Sequence, residues 1–240
     1  DIGGLPASEA LERYFAHWDS EADSHAWETA ICRPRPDVDL TIGNLTDVGY
    51  SERLAALHGD DVRWVPSWGS WMVWDGARWR RDEEMTVEKL GAAVATRTLQ
   101  AFVALGSDDP RRSDGVRRAL TRESSSSIRG SLEQLKHLVA ARPDAFDLDR
   151  WALNVTNGTV DLRTGRLRAH DRSDMITKIA GVAYDPAAEC PMWEAFLMRV
   201  FDGDTDLIGY VQKLVGMTLA GVIADHCFII LNGNGRNGKS

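Results

Sequence analysis

Residues 153–167 read LNVTNGTVDLRTGRL, and the class of fold turns on how this stretch is paired. Asn157-Gly158 between alternating apolar residues is a hairpin signal, because a tight two-residue turn needs positive φ at its centre. With the turn at those two residues, Val155 faces Val160 and Leu153 faces Leu162. A second turn at Thr164-Gly165 then returns Leu167 against Leu162. The result is a three-stranded meander with one apolar face. On its far side Arg163 and Arg166 face each other, an arrangement that costs a few tenths to about 1 kcal/mol unless an anion lies there.

Working toward the N-terminus, a second sheet region is marked by Trp64, Trp68, Trp71, Trp74 and Trp79, with Asp75-Gly76 among them. A turn at Asp75-Gly76 pairs Trp74 with Ala77, Val73 with Arg78, Met72 with Trp79 and Trp71 with Arg80. One face (Met72, Trp74, Ala77, Trp79) then seeks a core. The other, Trp71 and Val73 with Arg78 and Arg80, is open to a partner. Tryptophan beside arginine suits base stacking, worth about 1–3 kcal/mol per base, although such tryptophans are more often core residues.

Between and around the sheets the periodicity is helical. Helices are expected from Tyr50 to about Leu57, from Thr86 to Leu105, from Asp114 to Arg122 and from Ser127 to Ala141, with Ser124 to Ser127 offering a cap and Pro143 a stop. Pro191 suits a first helical residue of a helix ending near Phe201. A further helix from Thr205 to about Ala220 carries a one-sided stripe of Leu207, Ile208, Val211, Leu214, Val215 and Leu219 that must pack on something. Cys227 to Leu231 is a continuous apolar run, the mark of a strand buried on both faces.

That run leads into Gly233-Asn234-Gly235-Arg236-Asn237-Gly238-Lys239-Ser240, a complete G-x-x-x-x-G-K-[ST] phosphate loop. Its glycines let backbone N–H groups turn onto phosphates, Lys239 reaches the β and γ oxygens, and Ser240 supplies a hydroxyl for magnesium. The bland alternative is a glycine-rich turn after a strand.

The net charge of -8 does not exclude a polyanionic partner, because it is unevenly spread. Residues 1–62 hold 13 acidic against 4 basic side chains, whereas Pro110 to Arg142 is locally +5. Arg111, Arg112, Arg117, Arg118, Arg122 and Arg129 from that stretch, with Trp71, Arg78 and Arg80, form the candidate DNA-contacting set. A charged helical face that is merely solvated is the competing reading. Cys32, Cys190 and Cys227 make no metal-ligand spacing, and Cys190 before Pro191 reads as a buried small residue. His58, His137, His170 and His226 stand at no catalytic or metal spacing. The sequence shows neither a membrane span nor a signal segment and reads as cytoplasmic.

The run Asn157 to Gly165, then His170-Asp171, Thr177, Tyr184-Asp185-Pro186, Cys190-Pro191 with Trp193, Phe196 and Leu197, and the phosphate loop, resembles the phage and plasmid primase-helicase family related to the poxvirus primase-helicase. Thr46-Asp47-Val48-Gly49 with Arg53, followed by Trp68 to Trp79, also resembles the start of that family's pre-helicase domain, with Tyr50 where the family usually has Asn. The resemblance implies a superfamily-three DNA helicase, assembled as a ring that is expected to be a hexamer, using ATP and magnesium, with this region as its collar. The expected organisation is α+β: an acidic helix and linker over 1–45, a mainly helical pre-helicase domain with two small antiparallel sheets over 46–190, and over 191–240 a helix pair, first strand and phosphate loop of an α/β motor that continues past Ser240. No catalytic residue is expected within these 240. A small-molecule kinase and a stand-alone DNA-binding or oligomerisation module are the other readings.

Overall fold

A computed structural model of the chain describes residues 38–221 and residue 230. The helix and linker expected over 1–45 lie mostly outside the described residues, as do the apolar run at 227–231, apart from Ile230, and the phosphate loop. The described chain is α+β with two separate three-stranded antiparallel sheets. It divides into two compact units, residues 38–147 with 171–177 and residues 148–170 with 178–221. Residues 191–221 therefore fall in the same unit as the meander.

The first unit opens with α1 (Asp47–His58), capped by Thr46, whose hydroxyl accepts the Gly49 N–H. Strands β1 (Val62–Val65), β2 (Ser70–Trp74) and β3 (Trp79–Arg81) follow, and then α2 (Thr86–Val103). The Asp82 carboxylate caps α2 by accepting the N–H groups of Thr86 and Val87, each at 2.9 Å. Helices α3 (Arg111–Leu120) and α4 (Ser125–Leu138) complete the body, α4 being capped by Ser124.

The tryptophans are explained by a sheet covered on both faces. Val62, Trp71 and Val73 join the larger core with Leu54, Leu90, Val94 and Leu135 from the helices, and Trp64 packs against it. Val65, Met72, Trp74 and Trp79 form a smaller core with Phe146 on the opposite face. Both sheet edges are closed: Trp64 exchanges backbone hydrogen bonds with Val139 and Ala141, and Trp79 donates its N–H to the Ile176 carbonyl.

The β2–β3 pairing differs from expectation. Trp74 faces Trp79 and Val73 faces Arg80, so the loop has four residues, not two. Asp75 causes this, since its carboxylate accepts the backbone N–H groups of both Ala77 and Arg78 and holds them out of the ladder. The slip is of two residues, so each side chain keeps its expected face. What changes is the neighbour: the face expected to be open to a partner is the one the helices bury.

The second unit contains the meander β4 (Ala152–Val155), β5 (Gly158–Asp161) and β6 (Arg166–Arg168). Here too the register lies two residues from expectation. Val155 pairs with Gly158 and Leu153 with Val160, while Val160 pairs with Leu167. Thr156 and Asn157 form the turn, held by the Asn157 side chain, which exchanges hydrogen bonds with the backbone of Tyr184. Arg163 and Arg166 do not oppose each other. Asp161 pairs with Arg166, and Arg163 sits in the loop after β5. Helices α5 (Pro191–Val200) and α6 (Thr205–Ala220) complete this unit. No described helix is long and apolar enough to cross a membrane.

Candidate nucleic-acid interface

Helix α3 carries four of the nine expected DNA contacts, Arg111, Arg112, Arg117 and Arg118. Its inner stripe is Gly115 and Ala119, both buried, and a Cβ on Gly115 would lie 2.1 Å from the Phe102 ring of α2. A small residue is required there because the helices approach so closely. That contact turns Arg117 and Arg118 outward. They share one carboxylate, Asp114, at 2.5 and 3.7 Å. Arg111 is held by Asp109 at 2.7 Å, and the Asp109 carboxyl is held below its usual value chiefly by that side-chain bond. Arg122 reaches across to Asp47 at 2.6 Å, at the start of α1. Gly130 of α4 makes room there, since a Cβ on it would sit 2.4 Å from the Asp47 carboxylate.

The sheet arginines are also engaged. Arg78 lies 3.7 Å from Asp75, and Arg80 lies 3.3 Å from Glu84. The Arg112 side chain donates to the Val103 carbonyl, and no carboxylate among the described residues forms an ion pair with it or with Arg129. The local excess of arginine counted along the sequence is thus largely matched by carboxylates, three of them, Asp47, Asp109 and Asp144, supplied from outside the counted stretch. Trp71 is buried at 9% exposure and meets Trp64 edge-on at 5.1 Å between ring centres. That placement favours its core role over stacking on a base.

Arg53 is a residue whose role periodicity could not reveal. It is 5% exposed. Its guanidinium donates to the carbonyls of Leu40, Ile42, Gly43, Asn44 and Gly49, so the segment leading into α1 is wrapped around one cation. Burial pushes its pKa down and likewise pushes the neighbouring Tyr50 phenol up. The only sequence signal was its fixed distance after Thr46-Asp47-Val48-Gly49.

In the second unit Asn154 and Thr159 are buried polar residues paired across β4 and β5, on the face opposite Leu153, Val155 and Val160. The Asn154 side-chain oxygen accepts from the Thr159 hydroxyl at 3.3 Å and lies 2.9 Å from His170 Nδ1, while its amide donates to the Lys178 carbonyl. His170 is therefore a structural partner. Cys190 precedes α5 as expected but is exposed, not buried. The turn before Pro191 leaves its thiol outside, 3.8 Å from the Glu194 carboxylate. No group of three His, Cys, Asp or Glu side chains among the described residues could hold a metal ion. Gly233, Asn234, Gly235, Arg236, Asn237, Gly238, Lys239 and Ser240 lie outside the described residues.

Each of the two described units joins one three-stranded antiparallel meander to helices, which makes the chain α+β. A family profile described as D5 N terminal like matches residues 51–202, well over half of the chain, and the chain belongs to that family. The domain is the pre-helicase region of phage and poxvirus primase-helicase proteins. A search of curated proteins returned no match.

Proposed function

We propose that this chain is the N-terminal part of an NTP-dependent replicative DNA helicase of a phage, prophage or plasmid, acting in unwinding at replication initiation in the bacterial cytoplasm. One observation carries the reading: a D5 N terminal like domain over 51–202 is followed, in the same polypeptide, by a full phosphate-loop sequence at 233–240. The donor set suits a magnesium-bound triphosphate. Successive glycine amides and Lys239 would hold the phosphates, and the Ser240 hydroxyl would face magnesium, which supplies charge neutralisation at the transferring phosphoryl group. The 240 residues alone are not expected to hydrolyse ATP, because no magnesium-holding carboxylate or water-positioning residue is assigned among them.

Ring assembly, as a hexamer around DNA, belongs to the same proposal. Met192, Trp193, Tyr210, Val215 and Leu219 of α5 and α6 are exposed, an apolar surface of the sort that marks interaction sites. The same surface supports a second reading, an oligomerisation or DNA-docking module without catalysis.

The test is ATP hydrolysis by a polypeptide carrying the continuation of this sequence, with and without single-stranded DNA. Stimulation by DNA and its loss in Lys239→Ala are expected. Unchanged hydrolysis in that variant would remove the motor reading.

A further inference from the structure

The arginines of the first unit are largely spoken for, whereas the loop end of the second unit's meander gathers three arginines of which only Arg163 is ion-paired with a carboxylate among the described residues. Arg150, Arg163 and Arg166 are all exposed there. Trp151 extends β4 opposite Leu162, whose N–H it accepts at 2.8 Å, so it sits at the same end of the sheet. The Arg163 guanidinium lies over the Trp151 ring at 5.2 Å. The two acids at this end are Asp149 and Asp161. Asp149 accepts the Trp151 N–H at 3.0 Å and stands 3.6 Å from Arg163. Asp161 accepts the Arg163 N–H and the Thr164 hydroxyl, bonds that hold the loop. No carboxylate among the described residues forms an ion pair with Arg150 or Arg166.

We infer that this end of the meander, Arg150, Arg163 and Arg166 around Trp151, is a contact surface for single-stranded nucleic acid. The chemistry is charge complementarity with the phosphate backbone, joined to a flat guanidinium–indole platform on which a base can stack. Arg168, also exposed, stands two residues beyond Arg166 on the edge strand, about 6.7 Å along it, a spacing on the scale of successive phosphates in an extended strand. A charged edge strand also discourages edge-to-edge aggregation, and that role alone requires neither Trp151 nor the loop arginines. The inference rests on the proposal of a DNA partner and names a surface for it other than the arginine-rich helices.

The experiment is fluorescence anisotropy of a labelled single-stranded oligonucleotide titrated with the 240-residue chain across a range of salt. Arg150→Glu with Arg166→Glu is compared with Arg112→Glu with Arg129→Glu, circular dichroism showing that each retains its fold. The meander pair should weaken binding by at least about tenfold at low salt and flatten the log–log salt slope by roughly 1.4, about 0.7 for each phosphate that is no longer neutralised. The helical pair should change affinity less than about threefold by the same counterion argument. Equal losses in both pairs, or loss confined to the helical pair, overturn this surface while leaving the DNA partner standing. Absence of any binding by the parent chain at low salt overturns both, and equally tight binding of a duplex overturns the single-strand assignment.

Discussion

The Arg53 guanidinium has five N–H donors in a fixed fork, and it reaches the carbonyls of Leu40, Ile42, Gly43 and Asn44, which lie in no helix or strand, and that of Gly49 in the first turn of α1. Removing it leaves buried acceptors without a donor. Arg53→Ala should therefore destabilise the chain by about 3–5 kcal/mol in chemical denaturation. Arg53→Lys should recover less than half of that, because an ammonium has three donors and no fork. Gly49 belongs to the same construction, since a Cβ there would fall 1.8 Å from the Asn44 carbonyl oxygen. At this scale the sequence was least legible: the chemistry of a buried arginine depends on which carbonyls come within reach, and residue order alone does not say.

Elements were far more legible, because their signals are local. The helix expected from Thr205 to about Ala220 is found as Thr205–Ala220, with Asp204 accepting the N–H groups of Asp206 and Leu207 at its start. The second meander and the β2–β3 hairpin were also legible in existence and in the alternation of their side chains, whereas β1 was not. Neither was legible in its turns: Asp75 and Asp161 bond forward to backbone and lengthen the β2–β3 and β5–β6 loops to four residues, while the β4–β5 turn keeps two residues and moves to Thr156-Asn157, held by the Asn157 side chain. The Asp161 carboxyl is held below its ordinary value, first by the Arg163 backbone N–H. Because the folded value is lowered, its contribution is present above the unfolded carboxylate pKa and lost as pH falls through the folded one. Amide exchange at Arg163 should accelerate over that acid window in the parent chain and lose the dependence in Asp161→Asn. Helix α3 offers a packing test. Gly115→Ala gains about 1 kcal/mol of helix propensity, yet the methyl meets the Phe102 ring, and net destabilisation of about 1–3 kcal/mol is expected from thermal melts.

For the whole molecule, charge counted along the chain proved a poor guide to charge presented to a partner. The stretch from Pro110 to Arg142 is +5 by sequence, but Asp47 lies far away in residue number and neutralises Arg122 in space. The phosphate loop proposed for 233–240 rests on local spacing alone. Neutralising one loop charge should therefore separate two properties: Lys239→Ala should abolish triphosphate retention in the continued polypeptide, measured by equilibrium binding, without lowering the melting temperature of residues 38–221.

The short return of residues 171–177 to the first unit has a consequence for how the chain is made. Trp79 is fully buried, and it is secured by the carbonyls of Ile176 and Arg172, the latter taking its indole N–H at 2.8 Å. During synthesis, then, the smaller core stays incomplete for nearly a hundred residues after Trp79 leaves the ribosome. A nascent chain halted before Ile176 should expose that indole to a chaperone, and one halted beyond Thr177 should not.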